Sequence, residues 1–209
     1  MSYTAKKQLV EVAKLMYQKN MVNAFEGNLS IKEDNRIYIT PSGICKGFLT
    51  EEMIAVTDLE GNVLDGSRKP SSELKLHLGA YSHRSGIKSV VHAHTPYATA
   101  FALNNMPIET KAYPELIVLF DSIPLAEYGT QSTYGIFEGA KRYIDRYDIV
   151  LLANHGIMAV GSDIYDAFFK IEAAESIAKT LFLARQLGGE KDLTSEQLEE
   201  LYKLRKKQL

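Results

Sequence analysis

Hydrophobic and polar positions along the chain change period several times, and each change marks an element. From about Tyr3 to Lys19, Leu9, Val12, Ala13 and Met16 recur at helical spacing, which predicts an amphipathic opening helix. "NLSIKEDNRIYIT" then alternates with period two on both sides of Glu33, Asp34 and Asn35, a hairpin pattern. "MIAVTDLEGNVLDG" repeats it around "EGN". The period returns to helical in "SSELKLHLGAYSHRSG", where Leu74, His77, Leu78 and Tyr81 form one stripe and Gly86 is placed to end it. "KSVVHAH" reads as a buried strand and "TPYATAFALNN" as a turn into a short helix. "DIVLLANHGIMAVG" predicts two apolar strands around a tight turn at "NHG". A long helix follows over about Asp163 to Leu187, with Ser162 as its cap. "TSEQLEELYKLRKKQL" predicts a terminal helix whose basic end complements its dipole. Hairpins joined to flanking helices predict an α/β layered fold, a mainly antiparallel sheet covered by helices.

Composition narrows this picture. A chain of 209 residues without repeat, low-complexity tract or Pro/Ser linker is expected to form one domain over residues 1–209. A formal charge of -2 gives no basic footprint, so neither nucleic acid nor an anionic membrane is an expected partner. The single cysteine, Cys45, rules out an intrachain disulfide and suits a reducing compartment. With no apolar leader and no run long enough to span a bilayer, the expected location is the cytoplasm.

The candidate chemistry sits on histidines. His92 and His94 stand one residue apart in "VVHAH", so on an extended strand they project side by side while Val91 and Ala93 face the other way. Two close imidazoles repel if protonated and leave a buried face unused if unpaired. A shared metal ion resolves both problems, with a purely structural pair as the alternative. His155 lies on the "NHG" turn, where Asn154 and Gly156 tolerate the tight backbone that aims the ring at one point. Three histidines with an open position are the arrangement of catalytic zinc. His77 belongs to the core stripe and reads as a hydrogen-bonded structural residue, and His83 as a partner of the dipole at its helix end.

Five segments, "EGNLS", "TPSG", "KPSSE", "VVHAHTPYA" and "ANHG", follow the order and approximate spacing of the class II aldolase/adducin family. The chain resembles that family from about Lys7 to Leu187. The resemblance implies a three-layer fold with a central antiparallel sheet, and a cyclic homotetramer with active sites at subunit interfaces. It implies one metal per subunit, usually Zn2+ and otherwise another divalent transition metal, held by His92, His94 and His155. Neutral imidazoles leave the charge of the dication available to a developing oxyanion. Glu73, by itself a first-turn glutamate favoured by the dipole, matches the family's acid/base and a ligand of the empty metal site. Ser71 and Ser72, by themselves an N-cap, match a phosphate cradle at a helix start. Gly27, Asn28, Ser42 and Gly43 match the other phosphate-holding positions, and neither Lys nor Arg is required among them. Tyr113, in "KAYPELIVL", matches a tyrosine that reaches across the subunit interface to handle a proton.

The implied reaction is reversible retro-aldol cleavage of a ketose 1-phosphate, L-fuculose 1-phosphate or a 5-deoxypentulose 1-phosphate, to dihydroxyacetone phosphate and a short aldehyde. In the related ribulose-phosphate 4-epimerases Asp tends to stand where this chain has Glu73, and in methylthioribulose-phosphate dehydratases Ala tends to interrupt the serine pair, so "SSE" favours the aldolase branch. Outside enzymes, the alternative is a binding module like the adducin head, a branch that has lost metal ligands this chain keeps. Two departures bear on substrate. Glu26 precedes Gly27 where the family is usually small, and a carboxylate there repels phosphate unless it turns away. "KLRKKQL" lacks the functional tyrosine some aldolases carry near the C-terminus, and Tyr202 is too early to replace it.

Overall fold

A computed structural model describes residues 2–208. Its strands are β1 (Asn28–Glu33), β2 (Arg36–Ile39), β3 (Ala55–Thr57), β4 (Val63–Asp65), β5 (Ser89–Ala93), β6 (Leu125–Ala126), β7 (Ile149–Leu152) and β8 (Gly156–Gly161). Its helices are α1 (Ser2–Gln18), α2 (Leu74–His83), α3 (Pro96–Leu103), α4 (Pro114–Leu119), α5 (Gly135–Ile144), α6 (Ile164–Gln186) and α7 (Ser195–Gln208). The strands form one eight-stranded sheet in the order β4-β3-β2-β1-β5-β8-β7-β6. Every pairing is antiparallel except β6 with β7.

The period-two pattern of the central strands sorts their side chains into two cores. Leu29, Ile31, Val91, Ala93, Ile157 and Ala159 pack with α1, α3 and α6. Ile37, Ile39, Val90, Val150, Met158 and Val160 pack with α2 and α5 on the other face. The sheet is therefore flanked by helices on both sides, as the hairpin-and-helix pattern predicts. Each fully buried large apolar side chain contributes about 1.5–3 kcal/mol. Helix α6 buries Phe168, Ile171, Ile177 and Leu181 along one stripe, which seats it against the first core.

Local details differ from the sequence expectations in three places. The cap of α6 is Asp163, not Ser162: Asp163 has extended backbone (φ -153, ψ 175) and its carboxylate accepts the Asp166 N–H. Ser162 lies one residue earlier, where its own N–H and hydroxyl both donate to the Asp166 carboxylate. The β3–β4 hairpin is short, and all three β4 residues are exposed. Between residues 105 and 148 the chain forms α4, β6 and α5, for which the sequence reading assigned no element. Among the described residues no helix is long and apolar enough to cross a membrane. Leu209, the end of the "KLRKKQL" segment, lies outside the described residues.

Three features bring the site together at one end of the sheet. The cross-strand pair Asn28 and His92 puts both side chains on the α2 side. A bridge between Pro41 and Pro70, with Ser42 N–H donating to Lys69 O and Ser71 N–H to Thr40 O, lays the "TPSG" loop beside "KPSSE". Glu175 of α6 accepts the Tyr97 and Ala98 N–H groups at 2.9 and 2.8 Å, which caps α3 and fixes the chain just after His94.

Candidate active site

His92, His94, His155 and Glu73 converge, each offering one ligand atom, with those atoms all within 4.8 Å of one another. His92 Nε2 lies 3.0 Å from His94 Nε2 and 3.3 Å from Glu73 Oε2. His155 Nε2 lies 3.2 Å from Glu73 Oε1. In a tetrahedral site with metal–ligand bonds of about 2.0–2.1 Å, neighbouring ligand atoms stand about 3.3 Å apart. The observed edges match that spacing.

Protonation follows from the hydrogen bonds. His92 Nδ1–H donates to Ile157 O at 3.0 Å, which leaves the lone pair on Nε2, facing the cluster. Gln131 Nε2 donates to His155 Nε2 at 2.7 Å, which makes that nitrogen the acceptor; a bound cation would take the same lone pair in place of Gln131. Burial, with His94 and His155 nearby, drives the His92 imidazole well below its usual pKa. Burial, then His94, pushes His155 down to about 4. Burial raises the Glu73 carboxyl, opposed by the Asn28 hydrogen bond and the charges of His94 and Lys46. Glu73 Oε1 is buried with no hydrogen-bond partner. An orphaned carboxylate oxygen facing three imidazoles is a donor set for a divalent cation, and these four residues fit one.

Gly156 makes this convergence possible. A Cβ there would stand 2.5 Å from Ala93 O and 2.8 Å from His94 Cδ2. Only a residue without a side chain lets β8 begin this close to the end of β5.

Glu73 is oriented from behind. Its Oε2 accepts Asn28 Nδ2 at 2.7 Å, and Asn28 Oδ1 accepts His77 Nε2–H at 2.5 Å. His77 is fully buried and held neutral, its pKa pushed down by burial to about 3. Its Nδ1 therefore accepts the Ser30 hydroxyl at 2.6 Å, and Ser30 in turn accepts Tyr81 O–H at 2.7 Å. The chain Tyr81–Ser30–His77–Asn28–Glu73 runs in one direction, because Asn28 Oδ1 can only accept. His77 is thus the hydrogen-bonded residue that its place in the core stripe predicts. His83, in the last turn of α2, meets Asp145 Oδ1 at 3.0 Å.

Beside the four residues lies a cleft of ≈ 350 Å³. Gly27, Asn28, Ser42, Gly43, Ser71 and Ser72 all line it, together with Glu73 and His94. The six phosphate candidates are therefore brought to one place. Asn28 spends its side-chain amide on Glu73 and His77, and the Ser71 hydroxyl accepts the Glu73 N–H at 3.2 Å, a cap-like contact. Glu26 also lines the cleft, with Oε1 3.6 Å from the outer nitrogen of His94, Nδ1. Tyr113 does not line the cleft of its own chain; it starts α4 and packs half-buried against the first core. Sequence reasoning missed three residues that line the cleft, Phe25, Lys46 and Gln131.

Residues 7–182 match the family described as Class II Aldolase and Adducin N-terminal domain. The chain belongs to that family. This class II aldolase is 37% identical over 179 residues to an L-fuculose phosphate aldolase of Methanococcus maripaludis, covering 86% of this chain and 96% of the relative. It is 32% identical over 203 residues to a 5-deoxy-D-ribulose 1-phosphate aldolase of Bacillus thuringiensis, covering 95% and 93%. It is also 32% identical over 182 residues to a 3-oxo-tetronate 4-phosphate decarboxylase of Haemophilus influenzae, covering 85% and 86%. Among solved structures, an L-fuculose 1-phosphate aldolase matches with a TM-score of 0.89 at 33% identity, over 99% of this chain and 97% of the other.

Proposed function

We propose that this class II aldolase catalyses reversible retro-aldol cleavage of a ketose 1-phosphate, giving dihydroxyacetone phosphate and a short aldehyde. L-fuculose 1-phosphate and a 5-deoxypentulose 1-phosphate are the proposed substrates. The observation that carries this reading is the convergence of Glu73, His92, His94 and His155 beside the cleft lined by the serine and glycine motifs.

The four residues would hold one divalent metal, proposed to be Zn2+, which when bound supplies Lewis-acid polarisation and charge stabilisation. The phosphate is held by Gly27, Asn28, Ser42, Gly43, Ser71 and Ser72 at the start of α2, where backbone N–H groups and the helix dipole favour an anion. That anchoring fixes the carbon chain relative to the histidines. Cleavage removes the proton from the C4 hydroxyl, converts C4 to an aldehyde carbon and leaves the electron pair of the C3–C4 bond on C3. Glu73 delivers a proton to C3, a role suited to a carboxyl whose pKa is raised by burial. Tyr113 of a neighbouring copy assists at the C4 hydroxyl, in a homotetramer whose interfaces complete each site. Light scattering on the purified protein tests the assembly.

Incubation with dihydroxyacetone phosphate and a panel of short aldehydes tests the reaction. A ketose 1-phosphate product with chelator-sensitive yield supports it. Release of carbon dioxide from a 3-oxo-tetronate 4-phosphate, with no aldol product, would instead support the decarboxylase reading that the Haemophilus relative raises. Inversion at C4 or loss of water from a pentulose phosphate would mark the epimerase or dehydratase branches.

A further inference from the structure

Lys46 has no role in the scheme above, yet its placement is unusual. It is 2% exposed, and its Nζ makes one hydrogen bond, to Ile44 O at 3.2 Å. An ammonium has three donors, and this one forms no ion pair among the described residues. Burial costs a cation dearly unless an anion completes it. Lys46 also lines the cleft, where the other charged side chains are the carboxylates Glu26 and Glu73. It is held there by its neighbours. Leu49 is fully buried, and Gly47 presses against the ring of Tyr17 so closely that a Cβ would stand 2.6 Å from Cδ1.

We propose that Lys46 is the charge-bearing group of the anion cleft, its ammonium neutralising the phosphate monoester dianion of the substrate. The serine and glycine positions offer hydrogen bonds but no net charge. Without Lys46 a dianion would enter beside two carboxylates. Glu26 is drawn toward His94 Nδ1, which leaves the ammonium as the lysine or arginine cation on the cleft wall, with donors to spare. The inference deepens the proposed function and rests on its assignment of the cleft to phosphate.

The test uses the metal-loaded protein, inorganic phosphate as probe, and the variants Lys46→Met and Lys46→Arg. Calorimetric titration should show the phosphate dissociation constant rising about tenfold to a hundredfold in Lys46→Met, as expected for loss of a charge-assisted hydrogen bond. Lys46→Arg should recover part of the loss. Metal content should not change, and thermal stability should hold or rise, since Met fills a similar volume without a buried charge. With a ketose 1-phosphate, KM should rise by the same factor while kcat moves less than about threefold. Phosphate affinity within twofold of wild type would overturn the proposal, as would a large drop in melting temperature, which would mark Lys46 as a structural residue. A wild-type protein that binds phosphate but cleaves no ketose phosphate would sink the aldolase reading and leave the Lys46 inference standing. Wild-type cleavage with an unaltered Lys46→Met would sink the inference alone.

Discussion

Lowering the pH should test the buried relay behind Glu73. His77 is fully buried, and its hydrogen-bond partners among the described residues are Asn28 Oδ1 and Ser30 Oγ. In the folded chain it stays neutral down to about pH 3. Once unfolded it protonates near the ordinary histidine value of about 6.5. The native state is therefore favoured in full above that pH, and the advantage drains away as pH falls toward 3. Each pH unit in this window costs about 1.4 kcal/mol, so falling from pH 6.5 to 5 removes about 2 kcal/mol through His77 alone. Urea unfolding of wild type and His77→Gln across this range isolates the effect, because every other titrating group is common to both. At pH 7 the variant should already be weaker by about 1–3 kcal/mol, since glutamine leaves one buried partner unsatisfied. As pH falls the gap should close by about 2 kcal/mol. A constant gap would mean that the His77 ring charges equally in folded and unfolded chains, and the one-directional relay would be wrong.

Three other perturbations reach different parts of the site. His92→Ala should reduce bound metal from about one per chain to near zero by elemental analysis, and turnover with it; activity surviving in a metal-free preparation would contradict the ligand set. Gly156→Ala should destabilise by about 1–3 kcal/mol in denaturant titration and weaken metal affinity at least tenfold, because its Cβ meets the carbonyl of Ala93 at 2.5 Å. Asp163→Ala should cost about 0.5–2 kcal/mol through loss of the α6 cap, whereas Ser162→Ala should cost less.

Much of this molecule is legible in its sequence, for reasons that can be named. β5, β7 and β8 are near-continuous apolar runs, and the "NHG" turn between the last two places His155 where His92 and His94 already point. Ser42, Gly43, Ser71 and Ser72 gather because two proline-marked loops bridge, and Gly27 and Asn28 join them through the pairing of β1 with β5, which the resemblance implies and spacing alone does not. β6 was invisible because two residues carry no period and its partner, β7, lies more than twenty residues on. α5 did carry a signal, Ile136, Phe137, Ala140 and Ile144 along one face, although its start among threonine, tyrosine and glycine blurred it. Ser162 and Asp163 are both good caps, and only the backbone angles choose between them. Lys46 was hidden for a deeper reason: a lysine reads as surface, and only the packing of Tyr17 on Gly47 reveals that this one is interior.

The stretch between β6 and α5 hydrogen-bonds chiefly to itself, through Thr130, Thr133 and Gly135, and turns at Ser132 with φ 62. Gln131 alone extends from it to touch a histidine. A segment knitted this way keeps much of its own shape, so sister chains can drift there while the strands β5 and β8 keep their pairing. If the proposed aldol reaction holds, directed libraries aimed at new aldehyde acceptors would start at Gln131, the residue of that stretch that lines the cleft.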